Sequence, residues 1–205
     1  MMSSDSKNAP WQRILEGMAR AVRLGQVPQG NEEFKGQLVF PGAFNPIHEG
    51  HRIMADIASQ HCKRPVEFEL SVTNVDKPPL SSEEVGQRIQ QFGKNQVVWV
   101  TRTATFREKA RQFPAATFIV GVDTLQRILD VGYYRQGEKD REKALEEICR
   151  RDCRFLVFGR VTSAGFQTAG DLSLPAGLAD RCQTISAEQF RVDISSTEIR
   201  AQNES

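Results

Sequence analysis

Short apolar runs that read as strands alternate with stretches of helical periodicity along most of this chain, and no other feature constrains its fold as much. QLVF at 37–40 is apolar. PVEFELSVTN at 65–74 alternates, with Val66, Phe68, Leu70 and Val72 on one face and Glu67, Glu69 and Ser71 on the other. QVVWVT at 96–101, ATFIVGV at 116–122 and RFLVFG at 154–159 are continuous and β-branched or aromatic, as in strands covered on both faces; CQTISA at 182–187 reads as a last short strand. Helical spacing falls between them. It occupies 51–60, with Ile53, Met54, Ile57 and Ala58 on one stripe, then 82–92, 106–113 and 123–129, and the charged stretch 137–152, whose Ala144, Leu145 and Ile148 face inward. This order predicts an α/β fold: a Rossmann-like open parallel sheet of about five strands with right-handed crossovers and helices on both faces.

The first residues stand apart. Positions 11–24 carry the spacing of an amphipathic helix, and GQVPQGNEEFKG at 25–36 reads as a linker. The expected organisation is an N-terminal helix and linker over 1–35 and one domain over 36–205. With 27 basic and 26 acidic residues, the chain shows no basic stripe interleaved with aromatics, which argues against a nucleic-acid partner. No apolar run approaches the roughly 20 residues needed to cross a bilayer, and the N-terminus carries no secretory pattern, so the expected location is cytoplasmic and no membrane partner is expected. The four cysteines, Cys62, Cys149, Cys153 and Cys182, form no C-x-x-C pair and read as reduced, mostly buried side chains. Cys149 and Cys153, four apart on the charged helix, are weighed as metal ligands and set aside; no protein-held metal is expected.

The densest cluster of unusual residues is VFPGAFNPIHEGH at 39–51, which holds two of the chain's three histidines. In an open parallel sheet, ligands sit beyond the carboxyl ends of the strands. Gly42 lets the backbone come close to a ligand, Pro46 stiffens the loop, and His48 and His51 open the next helix, where backbone N–H groups and the helix dipole favour an anion. Three-residue spacing puts both imidazoles on one side of that helix end, and with the amides they make a phosphate site.

The complete pattern G-x-F-x-P-x-H-x-G-H, here Gly42, Phe44, Pro46, His48, Gly50 and His51, resembles the signature of the HIGH-motif nucleotidyltransferase superfamily. That group includes nicotinamide and nicotinate mononucleotide adenylyltransferases, pantetheine-phosphate adenylyltransferase and the small cytidylyltransferases. The loop is neither a Walker loop, since no G-K-S/T follows, nor a G-x-G-x-x-G dinucleotide fingerprint. A second element, ISSTEIR at 194–200, has the capping-box form S-x-x-E from Ser195 to Glu198, with further hydroxyls at Ser196 and Thr197 and a guanidinium at Arg200. It resembles the family's I-S-S-T-x-I-R segment, which implies that Ile194, Ser195, Ser196, Thr197 and Arg200 hold the β- and γ-phosphates of a nucleoside triphosphate.

Three further matches lie between these motifs. VGVDTLQRI resembles the G-x-D segment of mononucleotide adenylyltransferases, with Gly121 admitting the adenosine and Asp123 accepting from a ribose hydroxyl; an ordinary N-cap aspartate fits that position equally well. TNVDKPPL resembles the loop in which Asn74 and Lys77 face the substrates. FLVFGR resembles the strand whose closing Arg160 lies near the nucleotide. The likeness covers roughly 37–202, and GAFNPIH, Asn74 with Lys77, and the G-x-D segment lean toward nicotinamide or nicotinate mononucleotide. The family usually places a tryptophan after the G-x-D helix; here DVGYYRQG stands there, so Tyr133 or Tyr134, Trp99, and the segment TRTATFREK containing Thr103 are the candidates for the ring pocket.

The resemblance implies AMP transfer from ATP to the mononucleotide with release of pyrophosphate, and Mg²⁺ bound mainly through phosphates. His48, His51, Lys77 and Arg200 would carry the catalysis. Gly42, Ala43, Phe44, Gly50, Gly121, Asp123 and Arg160 would line the nucleotide, and Phe44, Asn45, Asn74, Lys77, Trp99, Thr103 and Tyr133 the acceptor. The expected partners are small molecules, with a homo-oligomer left open. The competing readings are cytidylyl or adenylyl transfer to another phosphate acceptor, and nucleotide binding without turnover.

Overall fold

The computed structural model describes residues 9–25, 36–75, 78–162 and 165–190. Its centre is a 7-stranded sheet in the order β1-β4-β3-β2-β5-β6-β9. The strands are β1 (Ala21–Leu24), β2 (Leu38–Pro41), β3 (Val66–Ser71), β4 (Val97–Thr101), β5 (Thr117–Gly121), β6 (Arg154–Phe158) and β9 (Cys182–Ile185). Between them run α2 (Glu49–Cys62), α3 (Ser82–Ile89), α4 (Phe106–Gln112), α5 (Val122–Leu129) and α6 (Glu138–Arg150). All neighbours pair in parallel except β1, which runs antiparallel to β4. The α/β reading therefore holds, with the apolar run at 37–40 as the central strand.

Alternate residues of the buried strands feed two cores, one on each face. Val39, Phe118, Val120, Phe155 and Val157 pack with Phe113, Leu125 and Ile148 on one side. Leu38, Phe40, Phe68, Ile119, Leu156 and Phe158 pack with Ala55 and Ala58 of α2 on the other. Because both faces are covered, these strands read as unbroken apolar runs. From β2 the chain winds outward to β3 and β4, then returns to β5 on β2's other side. The strand order thus reverses between β2 and β5, and the crevice of a doubly wound sheet opens beyond their carboxyl ends.

The N-terminal segment departs from expectation. Only Gln12–Leu15 forms a helix (α1); its last turn closes through Gly17, at φ 77°, and Ala21–Leu24 becomes the edge strand β1. Leu15, Ala19 and Val22 carry helical spacing, but the strand can bury both Val22 and Leu24 against Ile14, Leu70, Val85 and Val100 while Arg23 points to the other face and pairs with Glu67. Tertiary pairing with β4 outweighs the local pattern. Two shorter elements were also missed: the antiparallel hairpin of β7 (Arg160–Thr162) and β8 (Gly165–Gln167), and the one-turn α7 (Ala176–Ala179). Cys153 lies past the end of α6, so it does not share that helix with Cys149. No helix among the described residues is long and apolar enough to cross a membrane.

The polar face of β3 also differs from the outward-facing row that its alternation suggests. Glu69 is 0% exposed beneath α4, where Lys109 Nζ donates to its Oε2 (2.7 Å) and to the Thr103 carbonyl (2.8 Å). Thr103 Oγ1 donates to Glu69 Oε1 (3.1 Å), and the Thr101 hydroxyl donates to the same oxygen. A buried charge of this kind persists only with such partners. Lys109→Met should destabilise the fold by about 3–5 kcal/mol in chemical denaturation by stranding the carboxylate, and adding Glu69→Gln should recover much of the loss; an unchanged denaturation midpoint for Lys109→Met would contradict this account.

Candidate active site

The crevice is lined first by the loop that leaves β2. The Gly42 N–H donates to the Glu69 carbonyl of β3 (3.0 Å), which holds the loop's first residue to the sheet. A side chain at 42 would meet the Phe44 ring at 2.6 Å, so the glycine makes room for that ring. Phe44 itself is buried, with φ 45°, and its ring makes edge contacts with Phe40 (5.7 Å), Phe68 (5.6 Å), Phe92 (5.3 Å) and His51 (5.3 Å). The Phe44 ring is thus an anchor that packs the loop onto the core. Ala43 and Asn45, on either side, are exposed, and the Ala43 carbonyl accepts from Arg88 Nη1 of α3 (3.2 Å).

His48 caps α2 with extended backbone (φ −134°, ψ 174°), and Glu49, Gly50 and His51 form the first turn; the His51 N–H donates to the His48 carbonyl (3.0 Å), which leaves the N–H groups of Glu49 and Gly50 without an intrahelical acceptor. The His48 N–H donates to His51 Nδ1 (3.2 Å), so a neutral His51 carries its proton on Nε2. Burial, and next the charge of His48, lowers the His51 pKa to about 4; burial lowers that of His48 as well. The two rings lie 3.8 Å apart. His48 Nδ1 is buried without a partner among the described residues. At neutral pH the helix start therefore offers two uncharged imidazoles beside free amides.

The second wall comes from β5, the neighbour of β2. Gly121 caps α5, and a side chain there would meet Asp123 Oδ1 at 2.5 Å. The Asp123 carboxylate thus folds back over Gly121 from the first turn of α5. It is not the N-cap, which removes the alternative reading of that position. Its Oδ2 lies 3.8 Å from Arg160 Nη1, at the start of the β7–β8 hairpin, and both side chains are about half exposed. Asp123 and Arg160, named from separate sequence matches, meet at one edge of the crevice.

Other candidates lie elsewhere or outside the described residues. Trp99 stands mid-strand in β4, donates through its indole N–H to Glu67 and packs on Phe113 (5.3 Å), so its ring belongs to the sheet face and not to a ligand pocket. Thr103 is buried in the Glu69 cluster. Asn74 is exposed in the loop after β3. Tyr133 lies beyond α5 with Arg127 over its ring (6.0 Å), and Tyr134 donates its hydroxyl to the Ile128 carbonyl (2.7 Å). Lys77 and the motif residues Ile194, Ser195, Ser196, Thr197 and Arg200 lie outside the described residues. Arg88 and Gln91, which hold the loop after β2, carried no motif signal.

A model of the family described as "Cytidylyltransferase-like" matches residues 39–202. The chain belongs to the cytidylyltransferase-like family. No curated protein matches it. As a cytidylyltransferase-like protein, the chain has a function of the nucleotidyltransferase type, and its crevice sits where the sheet order of that fold reverses.

The state of His51 can be checked directly. Its ring should titrate near pH 4 in an NMR titration, against the ordinary 6.5. Between these values the unfolded chain takes up a proton that the folded chain refuses. The associated stability is therefore complete above about pH 6.5 and declines as the pH falls toward 4. A ring midpoint near 6.5 would overturn the burial argument.

Proposed function

We propose that this chain transfers AMP from ATP to nicotinamide or nicotinate mononucleotide and releases pyrophosphate. The observation that carries the proposal is the histidine pair at the start of α2, where β2 and β5 part, with Asp123 and Arg160 paired just beyond the carboxyl ends of the neighbouring strands β5 and β6. In the proposed reaction an oxygen of the mononucleotide's phosphate attacks the α-phosphorus in line, the bond to the bridging oxygen breaks, and pyrophosphate leaves with that electron pair. No protein nucleophile is required; catalysis consists of positioning the phosphates and stabilising the charge that develops on them.

His48 and His51 would donate hydrogen bonds to the α-phosphate region, with the amides of Glu49 and Gly50 beside them. Gly42 and Ala43 would border the nucleotide along the loop backbone, and Gly121 would let the adenosine approach. Asp123 would accept from a ribose hydroxyl, and Arg160 would face the nucleotide. Lys77, Ser195, Ser196, Thr197 and Arg200 are assigned to the phosphates on their motif alone, with Ile194 opening that motif; Asn45 and Asn74 are assigned to the acceptor. The carboxylate of Asp123 faces a guanidinium, and no group of three or more metal-ligating side chains occurs among the described residues, which suits a metal held through phosphate oxygens and water more than one held by protein ligands. Mg²⁺ bound in that way would neutralise charge on the leaving pyrophosphate.

One observation favours a second reading, transfer to a different phosphate acceptor: Trp99, a candidate for the ring pocket, is committed to the sheet face. Pyrophosphate release should separate the two, with ATP or CTP offered alongside nicotinamide mononucleotide, nicotinate mononucleotide, pantetheine phosphate, glycerol 3-phosphate and FMN in turn. Product with either pyridine mononucleotide and ATP is the expected result. Product only with another acceptor retires the pyridine reading, and ATP binding without any product retires the enzyme. His51→Ala should lower kcat by on the order of 10²-fold or more at saturating substrates; wild-type turnover in that variant would refute the role given to the histidine.

A further inference from the structure

The loop between β2 and α2 carries the histidines, yet its middle adopts a conformation that its sequence does not favour. Phe44 sits at φ 45°, in the left-handed region that a bulky aromatic residue rarely adopts. Such a conformation persists only where the surroundings over-determine it. Burial of the Phe44 ring supplies one constraint, and Gln91, just beyond α3, supplies the other.

The Ile47 N–H donates to Gln91 Oε1 (2.8 Å), and Gln91 Nε2 donates to the Phe44 carbonyl (3.1 Å). One side-chain amide thus spans the turn from 44 to 47 and pairs with a donor and an acceptor, as a neighbouring strand would. Ile47 immediately precedes His48, so the same hydrogen bond sets where α2 begins. The helix that leads into Gln91 is itself held firmly. Ser81 and Glu84 form a reciprocal capping box at its start, Val85 is buried against the sheet, and Trp11 lies against Gly86. Arg88, one turn before Gln91, adds its bond to the Ala43 carbonyl.

We infer that Gln91 is a positioning residue for the nucleotide phosphates: its amide holds the 44–47 turn so that His48, His51 and the first amides of α2 stand where the phosphates bind. It touches no substrate itself. The inference rests on the nucleotidyl-transfer reading for its effect on turnover, but not for its effect on the loop.

Gln91→Met keeps the length of the side chain and removes both hydrogen bonds; Gln91→Glu keeps the acceptor for Ile47 and loses the donor to Phe44. Hydrogen exchange at the Ile47 amide should quicken by roughly fivefold or more in Gln91→Met and stay near wild type in Gln91→Glu. Gln91→Met should also weaken ATP binding in calorimetry and lower kcat by on the order of 10- to 100-fold, the scale of a reacting geometry displaced by about an ångström, while the thermal midpoint moves by only a few degrees. Unaltered Ile47 exchange in Gln91→Met overturns the clamp. Faster exchange with ATP affinity and kcat both within twofold of wild type overturns its positioning role. A wild-type protein that releases no pyrophosphate from any acceptor defeats the enzyme reading instead, and the clamp is then judged on Ile47 exchange and ATP affinity.

Discussion

The arrangement of the site depends on one packing contact, the Phe44 ring lying over Gly42 and against His51. It joins the phosphate loop to the aromatic core formed with Phe40, Phe68 and Phe92. Without that anchor, a loop containing glycine, asparagine and proline would leave the end of β2 with little apolar surface to bury, and only the Gln91 amide would hold its left-handed turn. With it, the energetics of the hydrophobic core extend to the point where the strand ends and the helix begins. Arg88 of α3 and Gln91 in the turn after it then satisfy the loop's backbone groups, and Gly42 is tied to β3 through Glu69. The geometry of the helix start is thus a consequence of core packing on the α2 face of the sheet.

The same burial determines the electrostatics. His51 lies against the rings of Phe40 and Phe44 and both imidazoles are partly buried, so each loses hydration when charged and both stay neutral at neutral pH in the free protein. The loop therefore presents donors and helix-end dipoles with no fixed cation of its own. A polyanion arriving there would favour the imidazolium form and raise both pKa values. Such a site does not hold two like charges 3.8 Å apart before its ligand is bound. On the other side of the sheet the solution is the opposite: the buried Glu69 is compensated permanently by Lys109, because that carboxylate has no ligand to wait for.

How much of this could be read from the sequence depended on whether a residue's role is local. The strands buried on both faces announced themselves as apolar runs, and the loop at 42–51 announced itself because glycine, proline and histidine have few other reasons to crowd at a strand's end. Asp123 and Arg160 were each named, but their meeting is tertiary. The edge strand β1 was hidden because Leu15, Ala19 and Val22 have the spacing of a helix stripe, and only pairing with β4 decides between the two. The contacts of Trp99 with Glu67 and Phe113 were not legible, because alternation in a strand says which residues share a face, not what packs on that face. Glu69 looked like part of a polar face because nothing near it in sequence reveals Lys109, forty positions away. Gln91 left no trace, since a side chain that braces a loop from a distant helix has neither period nor motif.

The central claim is that a polyphosphate binds where β2 hands over to α2. Amide shift mapping during an ATP titration tests it most directly. The account predicts that the largest changes fall on Gly42 to Phe44 and Glu49 to His51, together with residues 194–200. Saturable changes confined to other surfaces, with those amides unmoved, would contradict it.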